Sequence, residues 1–223
     1  MTRPKDPDEK QRDRTRTRAR IVEGARAVFA TSGFKGARMD EIAERSGVAK
    51  ASVFHHFGSK NALFAEALEA EVLALRRYQQ DLDLRDLEPR TAIRQLVEST
   101  FDYFLNNPSI ITFLNIENRL GGEHMRQSTA SVKAYNPLRD SLELILERGV
   151  AHGLFRPEVD ALALYLSIAG MSYHYVANRH TLGAVFARDL GAPEEVSRRR
   201  AQIVDFVLHA IAAPNAPPEA SSF

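Results

Sequence analysis

Apolar residues recur along this chain at helical spacing, and no segment shows the strict alternation of a half-buried strand. Ile21, Val22, Ala25, Val28 and Phe29 fall at offsets 0, 1, 4, 7 and 8. That is the stripe of an amphipathic helix, predicted from Thr15 to a stop at Gly33. A short helix follows with Met39, Ile42 and Ala43 inward, and Ser46-Gly47 ends it. A second short helix spans about Lys50 to Phe57, with Val53, Phe54 and Phe57 inward. After Gly58, Ser59 is a good N-cap for a long helix bearing Leu63, Phe64, Ala67, Leu68, Val72 and Leu75.

The rest of the chain has the same character. Helices are predicted over about 89–106, 109–120, 123–134, 137–152, 158–177 and 194–212, with breaks at Asn106-Asn107-Pro108, Gly121-Gly122 and Gly153 with Pro157. Residues 1–13 are polar and read as a flexible N-terminal arm. The proline-rich segment 214–223 reads as a disordered tail. The fold class is therefore all-α. A helix-turn-helix unit over 14–60 is joined by a long helix to a larger helical bundle over 61–213.

Charge adds a direction to this picture. Residues 1–65 hold 14 Lys/Arg against 8 Asp/Glu, whereas the remainder is acidic by 5 charges. A basic front suggests a polyanion as its partner. The 223 residues contain no cysteine, which excludes disulfides, thiolate metal sites and cysteine nucleophiles. No apolar run reaches the ~18 residues of a membrane span. The charged first twenty residues do not resemble a secretory signal, so a cytoplasmic protein with no membrane partner is expected. His124, His152, His174, His180 and His209 form no pair at metal-ligand spacing. No phosphate loop, nucleophile elbow or paired catalytic carboxylates appear. Neither a metal, a cofactor nor an enzymatic activity is expected.

The segment GFKGARMDEIAERSGVAKASVFHHFGSKNAL (33–63) carries the functional signal. Two short helices meet at a tight turn, with bracing helices on both sides, as in a helix-turn-helix whose second helix enters the major groove. Its residues Gly33-Phe34, Ile42-Ala43, Gly47-Val48, Phe57, Ser59-Lys60 and Leu63 resemble the TetR family of bacterial transcriptional regulators, over about residues 18–65. The resemblance implies a ligand-responsive regulator, most simply a repressor. It would bind a palindromic double-stranded DNA operator as a homodimer and be released by a small, partly hydrophobic effector. An enzyme on a helical bundle, or an interaction module whose helix-turn-helix does not read DNA, are the alternatives. A turnover assay and a salt-dependent shift assay would separate them from the first reading.

Residue by residue, the resemblance places Lys50, Ala51 and Ser52 at the start of the recognition helix. It places His55 and His56 near backbone phosphates, Lys60 on a phosphate at the fourth helix, and Arg38 within reach of another. Arg12, Arg14, Arg16, Arg18 and Arg20 would follow the adjacent groove. The family commonly has threonine at Ala37, serine at Ala49 and tyrosine at Phe54. The first two changes would remove N-caps worth ~1 kcal/mol each. In the body, Phe101, Tyr103, Phe104, Phe113, Asn115, Asn118, Tyr173 and His174 offer the mixture of aromatic walls and few polar groups that a ligand pocket uses. For the homodimer, one face of the penultimate helix carries Leu162, Leu166, Ala169, Gly170 and Tyr173. The last helix carries Ile203, Val204, Val207, Leu208 and Ile211. Paired across a two-fold axis, these would form a four-helix interface.

Overall fold

The computed structural model describes residues 7–217. Among them the regular elements are helices, with one isolated bridge between Phe155 and Ala212. The helices are α1 (Pro7–Gly36), α2 (Met39–Ser46), α3 (Lys50–Phe57), α4 (Lys60–Gln80), α5 (Pro89–Asn106) and α6 (Pro108–Arg119). They continue with α7 (Glu123–Gln127), α8 (Thr129–Lys133), α9 (Asn136–Ala151), α10 (Ala161–Phe186) and α11 (Pro193–Ile211). None is long and apolar enough to cross a membrane.

The expected elements stand, with four differences. The arm expected over 1–13 is helical from Pro7, because Asp8 and Glu9 in the first turn favour a helix N-terminus. Residues 1–6 lie outside the described residues. The helix expected over 123–134 is two, because Ser128 leaves helical geometry and its hydroxyl accepts the Ser131 N–H as a new cap. The helix α10 continues nine residues past 177 to Phe186. In the tail, 214–217 are placed, and Arg90 donates to the Pro217 carbonyl at 2.5 Å. The rest of the tail lies outside the described residues.

The chain divides into two compact units, residues 1–74 with 108–132, and residues 75–107 with 133–223. This differs from the expected boundary at residue 60. Most of α4, all of α6 and α7, and α8 up to Val132 belong with the helix-turn-helix. Their shared core holds Ile21, Phe29, Ile42, Val53, Leu63, Phe64 and Phe113. Phe64 is fully buried, with the rings of Phe29, Phe34, Phe113 and His124 at 5.2–5.3 Å. His124 is a satisfied core residue. Its Nδ1 lies 2.8 Å from Glu117 and its Nε2 lies 3.0 Å from Asn61. The second unit is built from α5, α9, α10 and α11 with the end of α4.

Candidate nucleic-acid interface and ligand site

The turn between α2 and α3 follows from two close approaches. Gly24 of α1 leaves room for α2: a Cβ there would lie 2.2 Å from the Ser46 hydroxyl. Gly47 caps α2 at φ 62°, ψ 39°, a conformation that favours glycine. Arg20 closes the turn by donating to the carbonyls of Ser46 (2.6 Å) and Gly47 (3.0 Å). Arg20 is thus a brace, and the arginine row is not an arm free to follow a groove. Arg18 is likewise engaged, paired with Glu66 and 5.0 Å from the Phe57 ring centre. Arg12, Arg14 and Arg16 stay exposed on the first turns of α1.

On α3, Val53 and Phe57 point inward, one turn apart. Phe54 does not join them: it is 42% exposed. The helix is only eight residues long, and one residue's rotation of about 100° takes Phe54 off the inward stripe. The outward side of α3 therefore carries Lys50, Ala51, Phe54 and His55, with Ser52 and His56 half-buried at its flanks. Lys50 is held by Asp40 of α2 at 2.8 Å, and this contact keeps the Asp40 carboxyl below its ordinary value. The His55 and His56 rings meet edge to face at 5.6 Å. Burial, then His55, Arg14 and Arg18, lower the pKa of His56 below its ordinary value. Lys60 donates to the Ala37 carbonyl at 3.1 Å and lies 4.9 Å from the Phe34 ring centre. Arg38 is exposed and is itself the N-cap of α2, so Ala37 is not at the cap position. Neither Arg38 nor Ala49, the cap of α3, makes a side-chain capping bond.

The eight residues expected around a ligand divide between the two units. In the second unit, Phe101, Tyr103 and Phe104 of α5 are buried. Phe101 packs 5.8 Å from Tyr175, and Phe104 packs 6.0 Å from Tyr173. His174 is exposed and lines a cavity of about 330 Å³ with Tyr175, Leu182, Arg188, Glu195 and Arg199. Phe113 belongs instead to the core of the first unit, 6.1 Å from Phe29. Asn115 and Asn118 are exposed on α6 of that unit. Phe113, Asn115 and Asn118 thus belong to the first unit, and the other five to the second. A helix's inward stripe shows that a residue is buried, not which unit buries it.

A group that the sequence reading passed over lies in the same unit, at the end of α4. Arg76 at the end of α4 is only 4% exposed. Its Nη1 donates to the Gln79 Oε1 at 2.6 Å and to the Tyr165 hydroxyl at 2.7 Å. Gln79 in turn donates to the Thr100 hydroxyl at 3.2 Å. The Tyr135 ring centre lies 3.5 Å from the guanidinium carbon. Burial, with Tyr165 nearby, raises the Tyr135 hydroxyl well above its ordinary pKa. The signal was present in the spacing. Val72, Leu75, Arg76 and Gln79 stand at i, i+3, i+4 and i+7, so both polar residues continue the buried stripe of α4.

Burial divides the residues expected at the homodimer interface on the last two helices. Leu162, Leu166 and Gly170 are exposed and Ala169 is half-buried. Ile203, Val204, Val207, Leu208 and Ile211 are buried within their own unit and present no surface to a second copy. On α11 the exposed large apolar residue is Phe206.

Comparison with known proteins agrees with this architecture. Residues 21–67 match the model of bacterial regulatory proteins of the tetR family, and residues 89–207 match the tetracyclin repressor-like C-terminal domain. A repressor of Pseudomonas putida, HTH-type transcriptional repressor NicS, is 35% identical over 78% of this chain and 82% of its own length. The structure of a transcriptional regulator from Streptomyces coelicolor, SCO4942, is 27% identical, with a TM-score of 0.62 over 89% of this chain and 99% of its own. FadR from Bacillus subtilis, solved in complex with stearoyl-CoA, is similar in fold. Its TM-score is 0.66 at 15% identity, over 86% of this chain and 98% of its own. With both halves of the chain matched, and the helix-turn-helix presenting α3 outward, this protein belongs to the TetR family of transcriptional regulators and is a DNA-binding regulator rather than an enzyme.

Proposed function

We propose that the protein is a cytoplasmic, ligand-responsive repressor that binds a palindromic operator as a homodimer. The observation that carries this reading is the basic, outward face of α3. Lys50, Ala51, Ser52, His55 and His56 lie on α3 or at its flanks, with Arg38 and Lys60 at the starts of α2 and α4. Phe54 joins them as an apolar contact for a thymine methyl or a sugar. Lys50 exchanges Asp40 for DNA on binding, and Lys60 and Arg38 take phosphates. The test is a shift assay on the intergenic DNA beside the gene, at several salt concentrations. Affinity is expected to fall with a log–log slope of about −0.9 per phosphate neutralised. Lys60→Ala should weaken all sequences alike and reduce that slope by about 1. A salt-independent affinity would remove the reading.

The histidines give a second expectation. A phosphate beside His56 favours its charged form, and burial in the free protein disfavours it. The complex therefore binds more protons than its free components. Operator affinity should rise as pH falls below about 6.5, and level off once free His56 is itself protonated. The double variant H55Q/H56Q should flatten that rise. Equal pH profiles for variant and wild type would mean that these side chains do not meet the backbone.

Dimerisation is supported by where apolar surface is left uncovered. Among the described residues, six large apolar side chains are more than half exposed, and five of them, Leu162, Leu166, Val185, Phe186 and Phe206, lie on α10 and α11. Large apolar side chains left exposed along two neighbouring helices support an interface there. The effector is inferred to bind in the second unit, where the aromatic side chains of α5 and α10 supply apolar walls. A ligand that favours one arrangement of the heads by about 1.4 kcal/mol lowers operator affinity tenfold. Helix α4, which runs through both units, is the element that carries the change.

A further inference from the structure

Among the described residues, four ionisable side chains of the Asp, Glu, Arg and His types are buried: Glu71, Arg76, Glu117 and His124. Three have a partner of complementary chemistry. Glu71 is 3.1 Å from Arg26, and Glu117 is 2.8 Å from His124. Arg76 has none. Its contacts among the described residues are Gln79, Tyr165 and the Tyr135 and Tyr165 rings, all neutral. A guanidinium does not deprotonate in a protein. A buried charge without a counter-charge is unfavourable, and native interiors normally pair it.

The unmet valence has a shape. Both protein hydrogen bonds use Nη1. Nε is buried without a partner, and Nη2 makes no hydrogen bond to a described residue. Nε and Nη2 form the side edge of the guanidinium, which grips a carboxylate through two parallel bonds. Gln79 is fixed by Thr100, so its Oε1 holds Nη1 and leaves that edge free. Tyr135 is 36% exposed and its ring covers the guanidinium, so a turn of this one side chain would open the group to solvent. Tyr135 and Tyr165 stand edge to face at 5.8 Å and supply an aromatic wall.

We propose that Arg76 anchors the carboxylate of a small apolar organic acid, and that this acid is the effector. The inference rests on the ligand-responsive reading above and adds the chemical class. A single cation with one open edge, among neutral groups, matches a monocarboxylate and not a doubly charged phosphate. The Tyr135 hydroxyl stays protonated to high pH, so it remains a donor for an acid docked beside it.

The test uses the full chain and thermal melting, with benzoate and octanoate as probes. Benzamide, octanamide, sodium chloride and inorganic phosphate at matched ionic strength are the controls. The acids should raise the wild-type Tm by a few degrees at saturation, and the controls should not. Arg76→Met should abolish the rise. Its ligand-free Tm should equal or exceed wild type, since an uncompensated charge is removed. A purely structural arginine predicts the reverse, a lower Tm with the acid response intact. If circular dichroism shows Arg76→Met unfolded, Arg76→Lys decides: it keeps the charge, loses the two-bond edge, and should bind the acids at least about tenfold more weakly. The proposal is overturned by a wild type that ignores both acids, by phosphate acting in their place, or by a folded variant that retains the full response. A shift assay without acid separates this from the regulator reading. Absence of operator binding removes that reading alone, whereas intact operator binding with no acid response removes this proposal alone.

Discussion

Leu166→Glu is expected to turn the protein into folded monomers and to lower operator affinity by ~100-fold or more. Leu166 is 60% exposed in the single chain, so a charge there costs its own fold little. In the proposed dimer the same carboxylate would be buried against a second apolar face, where an unpaired charge is costly. Two heads on one rigid dimer bind two half-sites as a single event. Separate heads lose the effective concentration that the linkage supplies. Sedimentation at micromolar concentration and a shift assay read the two effects. A variant that still sediments as a dimer would place the interface elsewhere. Val207→Glu serves as a contrast. Val207 is 1% exposed inside its own unit, so that change should unfold the protein rather than split a dimer.

Phe64→Ala should destabilise the first unit by about 3–5 kcal/mol. Its ring is completely buried and contacts Phe29, Phe34, Phe113 and His124. Truncation leaves a cavity and removes ring pairs worth ~0.5–1.5 kcal/mol each. Against a typical total of about 5–15 kcal/mol, much of the helix-turn-helix scaffold would be lost. Denaturant unfolding followed by circular dichroism measures it. The matched control is Phe54→Ala. That ring is 42% exposed, so stability should change by less than about 0.5 kcal/mol while DNA binding weakens. Equal stability losses for the two variants would mean that the aromatic cluster is not what holds the head together.

Much of the head is legible from local pattern. The stripe Ile21–Ala25–Val28–Phe29, the turn at Gly47 and the cap at Ser59 each depend on residues within one or two turns. Ser59 does cap α4, its hydroxyl accepting the Ala62 N–H at 3.1 Å. The misplaced Phe54 shows the limit of such reading. Three apolar residues in an eight-residue helix define a face only to within about one position, and that position decides between core and DNA. The arginine row shows another limit. Spacing put five arginines on one segment, but only the folded head brings Glu66 and the Ser46 carbonyl to Arg18 and Arg20.

By itself, the sequence determined the all-helical class, the helix-turn-helix with its basic front, and the membership that follows from them. All three are written in short-range spacing and composition. The tertiary structure alone decided which stripe meets which. Residues 108–132 joined the head and took Phe113, Asn115 and Asn118 with them. The apolar strip of α11 turned into its own unit, and on the last two helices it is Leu162, Leu166, Val185, Phe186 and Phe206 that stay more than half exposed. Arg76 came to rest among tyrosines, with no carboxylate among the described residues to meet it. Burial and pairing are properties of contacts between residues far apart in the chain, and periodicity reports only that a residue faces inward, never what it will find there.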